Sequence, residues 1–143
     1  MNYLLLNLRV AGGLLIALAF AHEPIARRFD WRGESARLSP FNRQVLLVHA
    51  FFIALTVGLM GALALFWAEE LTSRTPLAGP LCAGLTVFWA ARLLIQLFVY
   101  DAALWRGKRF ETAAHIAFTT FWLYLVIVFA WCWSRQHLQV SGL

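Results

Sequence analysis

Residues Val45–Ala68 read VLLVHAFFIALTVGLMGALALFWA, 24 positions without an Asp, Glu, Lys or Arg. At about 1.5 Å of rise per residue such a helix is about 36 Å long, enough to cross a hydrocarbon layer of about 30 Å. Three further stretches match it: Tyr3–Ala21, Leu77–Tyr100 and Thr112–Ser134. In lipid the backbone must satisfy its own hydrogen bonds, and no alternating ten-residue barrel pattern is present, so all four spans are expected to be helices. The expected fold is therefore all-α, a polytopic four-helix transmembrane bundle forming a single membrane domain over residues 1–143.

Composition agrees. Of the 143 residues 62% are hydrophobic and 13% charged, against roughly 45–50% and 25% in a soluble domain. A mean hydropathy of +0.70 and seven tryptophans fit a chain solvated mostly by lipid and exclude disorder. The length leaves no room for a separate soluble catalytic module of roughly 100 residues. Net charge is +5, but the basic residues sit in short loops beside apolar spans, so the charge speaks of topology and anionic lipid, and nucleic acid is not an expected partner.

The segment His22–Gln44 carries Arg27, Arg28, Arg32, Arg37 and Arg43, and Asp101–Glu111 carries Arg106, Lys108 and Arg109. An even number of spans puts both loops on one side, facing Arg9, Arg74 and Arg135 on the other. The basic side is expected to be cytoplasmic, with both termini outside a cell (inner) membrane. Trp67, Trp131 and Trp133 then mark the outer interface, Trp31 and Trp105 the inner one. The rival reading is a signal peptide over 1–21 ending in Ala19-Phe20-Ala21; cleavage would put five arginines outside, against the charge bias. The mixed charged and apolar 22–44 segment reads as a basic amphipathic loop on the inner leaflet, and Ser39-Pro40 as the start signal of the second helix.

Small residues let helices approach closely in lipid. Ala50, Ala54, Gly58 and Ala62 form a stripe on the second span, widened by Gly61 and Ala64, and the first span (Gly12, Gly13, Ala17) or the third (Gly79, Ala83, Ala90, Ala91) is expected to pack on it. Packing within the chain is the first expectation, and a homodimer face or another membrane protein the second. Cys82 and Cys132 lie in apolar stretches without CxxC spacing and read as small core residues rather than a redox pair.

Arg92 is the residue that lipid does not explain. It lies about 5 Å from the middle of its span, where an arginine costs roughly 2.5–3.5 kcal/mol even on the lenient insertion scale. No carboxylate lies in any span to pair with it. Snorkelling toward the nearer, cytoplasmic surface would run against the lean of helical side chains toward the N-terminus. Gln96 and Tyr100 share its face at i+4 and i+8, Asp101 follows, and Trp89 offers a ring face one turn earlier. Counting rise from each midpoint puts His49, Gln96 and His115 about 11–12 Å to the cytoplasmic side. Arg43, Gln44 and Glu111 would rim the opening, while Thr56 and Thr119 continue the histidine faces.

These residues define an expected ligand site of Arg92, Gln96, Tyr100, His49, His115, Arg43 and Asp101, suited to an anionic amphiphile such as a lipid headgroup, an isoprenoid phosphate or a quinone. Each histidine has a plainer reading, a bond to a carbonyl; His22 and His137 read as interfacial, and Arg9 reads as a headgroup contact or a partner of Glu69 or Glu70. Three alternatives follow from the same residues. One is a non-catalytic accessory or assembly subunit. A second is a haem b carrier with His49 and His115 as axial ligands, and a third a metal site adding Glu111 or Asp101. Hydrolase, metalloprotease and phosphate-loop signatures are absent, as are the repeats of transporters, so catalysis and transport are not expected.

Overall fold

The computed structural model describes residues 2–140 except Phe29, Arg74, Ala102 and Leu104, and for 137–140 the backbone alone. The outer basic residue Arg74 and the side chain of His137 thus lie outside the described residues. In chain order the helices are α1 (Tyr3–Arg28), α2 (Trp31–Ser35), α3 (Pro40–Phe66), α4 (Ala68–Thr72), α5 (Ala78–Phe98) and α6 (Arg109–Val140). Four of them, α1, α3, α5 and α6, are long and apolar enough to cross a membrane. Large apolar side chains point outward: Phe51, Phe52 and Ile53, consecutive on α3, are each more than half exposed. That distribution suits a lipid solvent, which leaves apolar side chains without a reason to turn inward.

α1 continues past the apolar boundary at Ala21 to Arg28, carried by the i,i+4 pair in which Arg27 Nε donates to Glu23 Oε1 at 2.8 Å and ended by two arginines in the last turn. The 22–44 stretch, read as loop, is therefore helical in its first third. Asp30 turns the chain in the left-handed region (φ 48°) and caps α2 by accepting from Gly33 N–H at 3.2 Å. A Cβ at Gly33 would collide with that Asp30 carboxylate. α3 starts where Ser39 Oγ accepts from Asn42 N–H at 3.4 Å and Pro40 fills the first helical position, where no donor is missed.

Contacts divide the chain into two units, residues 9–68 and residues 1–8 with 69–143. In the first, α1 and α3 run antiparallel and touch at backbone distance. A Cβ on Gly12 would stand 2.5 Å from Leu65 N and 2.7 Å from Gly61 O, and one on Gly61 would stand 2.8 Å from Gly12 O. Further along, a Cβ on Gly58 would meet Ala19 Cβ at 3.3 Å. Small residues at this crossing let dispersion act between backbones, the association force available in lipid. The buried line on α3 is Val57, Gly61 and Ala64, so the contact centres on the Gly61–Ala64 edge of the small-residue stripe, while Ala50, Ala54 and Ala62 are only half-buried.

In the second unit α5 and α6 run antiparallel along most of their length, with Cys82, Leu85 and Trp89 of α5 and Trp122, Leu125, Phe129 and Cys132 of α6 buried. At one end Leu71 of α4 offers its carbonyl to Gln136 Nε2 (2.9 Å) and Cys132 Sγ (3.2 Å), and Cys82 Sγ lies 2.8 Å from Cys132 Sγ. The start of α1 belongs here as well, where the Tyr124 hydroxyl donates to the Asn7 carbonyl at 3.1 Å.

Gly12 and its neighbour Gly13 give a paired test. Gly12→Ala forces two backbones apart and is expected to cost about 1–3 kcal/mol, read as a lower Tm in detergent. A Cβ at Gly13 meets nothing within 4 Å, so Gly13→Ala should leave Tm unchanged or slightly raised.

Candidate functional site

The chemistry-bearing side chains of the second unit gather where α5 and α6 cross below Trp89. Arg92 is half-buried, and its Nη1 donates to Gln96 Oε1 at 3.1 Å. Gln96, buried, turns its Nε2 to His115 Nδ1 at 2.9 Å. The polarity of this chain follows from its first member. A guanidinium only donates, so the amide must present its oxygen to Arg92 and its NH2 to the histidine, and His115 accepts at Nδ1 and carries its hydrogen on Nε2.

Aromatic rings complete the surroundings. The Arg92 Cζ lies 4.9 Å from the centroid of Trp122 and 5.7 Å from that of Tyr100. Trp122 also stacks with Trp89 (5.3 Å, 11°) and with Phe118 (5.7 Å, 16°). His115 stacks on Trp105 at 4.5 Å and 12°. Trp105 is brought there by a turn: Gly107 takes φ 84°, Lys108 N–H bonds the Trp105 carbonyl, and Thr112 Oγ1 donates to the same oxygen at 2.7 Å. Only glycine adopts that backbone without strain.

Two expectations are corrected. The cation lies over Trp122 of the facing helix, with Trp89 behind it as a stacking partner, rather than over Trp89 itself. And the Arg92 side chain runs toward the C-terminal end of α5, against the usual lean, because its acceptor, Gln96, and the Tyr100 ring lie that way. Asp101 is no counter-ion among the described residues; its Oδ1 accepts from Ala103 N–H at 2.9 Å and holds the loop turn. Trp105 and Trp122 belong to the cluster although rise counting, which ranks polar residues by depth, does not select them.

The remaining predicted residues belong to the other unit. His49 is exposed and donates Nδ1–H to the Val45 carbonyl at 2.8 Å, as His22 does to Leu18 at 2.9 Å. Both are i−4 bonds, the plain role of a helical histidine. Arg43 and Gln44 line an open pocket of about 390 Å³ with Ala36, Leu38, Pro40 and Leu47.

The cluster around Arg92 is rich in donors and poor in acceptors. The indole N–H groups of Trp89, Trp105 and Trp122 are buried without a hydrogen-bond partner. Arg92 uses one of its five N–H groups in a protein hydrogen bond, and the Nε2–H of His115 adds a further donor. An axial haem ligand needs a lone pair on Nε2 and a donor at Nδ1. His49 meets that requirement and His115 does not, since Gln96 donates to its Nδ1. Among the described residues no three His, Cys, Asp or Glu side chains group as metal ligands.

No protein-family model matches the chain, and no curated protein or solved structure matches it.

The relay fixes opposite tautomers on two histidines. Nitrogen-15 NMR of histidine-labelled protein is expected to find neutral His49 as the Nδ1–H form and neutral His115 as the Nε2–H form, with Gln96→Leu releasing His115 from that preference. An Nδ1–H resonance for His115 in the wild type would contradict the relay.

Proposed function

We propose that the four long helices form one transmembrane bundle in a cell membrane, termini outside and basic loops cytoplasmic, that holds the acceptor-bearing headgroup of an anionic amphiphile at Arg92. The observation that carries this reading is the donor surplus. A guanidinium, a histidine N–H and three indole N–H groups stand in one aromatic cluster, and among the described residues one hydrogen bond, from Arg92 to the Gln96 oxygen, answers them. In hydrocarbon each unanswered donor is costly, and a phosphate, carboxylate or quinone carbonyl brings the missing oxygens together with an apolar tail that lipid accommodates. Gln96 aims the guanidinium, whose Cζ lies over the Trp122 and Tyr100 rings, and its remaining N–H groups are the ones a ligand would meet. The role is binding. The basic pocket at Arg43 and Gln44 suits the same chemistry at the level of the headgroups.

Native mass spectrometry of gently solubilised protein beside Arg92→Met tests it. The variant removes a charge that is expensive in a span but leaves the buried Gln96 oxygen without its donor, so the Tm of both proteins in detergent is measured alongside and the comparison is made below the lower of the two. The variant is expected to retain the anionic amphiphile about ten- to hundredfold less, the loss of charge-assisted hydrogen bonds of about 1.5–3 kcal/mol. Identical bound species on both proteins, or a stoichiometric protein partner in place of a small molecule, would sink the reading.

Orientation has its own measurement. A C-terminal alkaline phosphatase fusion should be active and a C-terminal green fluorescent protein fusion dark; the reverse pattern would place the basic loops outside.

A further inference from the structure

Cys82 and Cys132 stand 50 positions apart in sequence, on α5 and α6, and both side chains are fully buried at the α4 end of that helix pair. Their sulfurs are 2.8 Å apart, closer than the roughly 3.5–4.0 Å optimal separation even of carbon atoms and about 0.8 Å from bonding distance. We propose that Cys82 and Cys132 form a disulfide that staples α5 to α6 at the outer end of the bundle. The local hydrogen bonds allow it. As thiols, Cys82 donates to Cys132 Sγ and Cys132 donates to the Leu71 carbonyl at 3.2 Å; when both hydrogens leave, that carbonyl keeps the 2.9 Å bond from Gln136 Nε2. Oxidation therefore leaves no buried polar group without a partner. The proposal rests on the orientation above, which puts this end of α5 and α6 toward the oxidising side of the membrane.

The reaction is thiol–disulfide exchange with a disulfide-bearing protein oxidant. One cysteine, as thiolate, attacks the oxidant's disulfide to give a mixed disulfide and a free oxidant thiol. The other cysteine then displaces the second oxidant sulfur. The chain loses two protons and two electrons, and the oxidant leaves as a dithiol. Because both sulfurs are buried once α5 and α6 have packed, the exchange belongs to the stage of insertion before the two helices close.

Cells quenched in acid, followed by denaturation and alkylation with N-ethylmaleimide, read the state directly by intact mass. No added maleimide without reductant, two after reduction, and a linked peptide pair containing Cys82 and Cys132 are expected. Cys82→Ser should take up one maleimide without reductant; if it takes up none, the missing label in wild type is not due to this bond and the proposal fails. Two maleimides on unreduced wild type also overturn it. Oxidised glutathione present while the reduced, denatured protein is returned to mild detergent, before α5 and α6 have packed, then separates the causes: closure there faults the orientation, and no closure faults the geometry.

Discussion

A guanidinium cannot shed its proton at any pH a membrane meets, so α5 has to carry solvation for Arg92 halfway along an apolar helix. The cost of roughly 2.5–3.5 kcal/mol on the insertion scale is matched in size by what surrounds it. One hydrogen bond from a charged donor contributes about 1.5–3 kcal/mol and a desolvated cation over a ring up to about 2. The arrangement around it follows. Gln96 has to be buried on the α6 side to present its oxygen, Trp122 has to lie opposite Arg92, and Trp89 then stacks on Trp122 as the next layer. Register between α5 and α6 is thereby fixed by polar and aromatic matching. Leucines alone, equally content against lipid, would leave it loose.

The α1–α3 pair solves the same association problem by other means. It carries no buried charge at its crossing, and its register comes from two glycines whose missing Cβ atoms let Gly61 and Gly12 backbones meet. Shape fixes that contact, and a single methyl group is enough to part it. Polar matching at α5–α6 tolerates small changes in volume but not a change of hydrogen-bond sense. The two units therefore answer to different kinds of substitution.

Much of this was legible in the sequence. Uncharged runs such as Val45–Ala68 leave helices as the sole economical conformation in lipid, and rise counting put Gln96 and His115 at one depth, where they lie 2.9 Å apart. What rise counting cannot supply is azimuth. It ranked His49 with His115, yet the His49 imidazole bonds its own helix at Val45. It could not choose between Trp89 and Trp122 beneath Arg92, since that depends on how α5 faces α6. Within the small-residue stripe of α3 the sequence did not say which members meet α1: that is decided by the partner's backbone, and Gly12 selects Gly61. The contact between Cys82 and Cys132, distant in sequence and without a spacing motif, follows only once the helices are antiparallel and in register.

Gln96 is the residue whose chemistry joins these parts, because it must do two opposite things at once. Arg92 requires an acceptor and His115, stacked on Trp105, is met by a donor. A glutamate would answer Arg92 and cancel its charge, but as a carboxylate it has no hydrogen to give His115. It would also remove the unbalanced positive charge that makes the cluster attractive to an anion. A leucine would suit lipid and leave both neighbours unanswered. An amide alone keeps the guanidinium charged, aims it, and passes the direction of donation on to the imidazole. The Nε2–H of His115 and the remaining N–H groups of Arg92 are then all donors, which is the chemistry the proposed headgroup oxygens would answer.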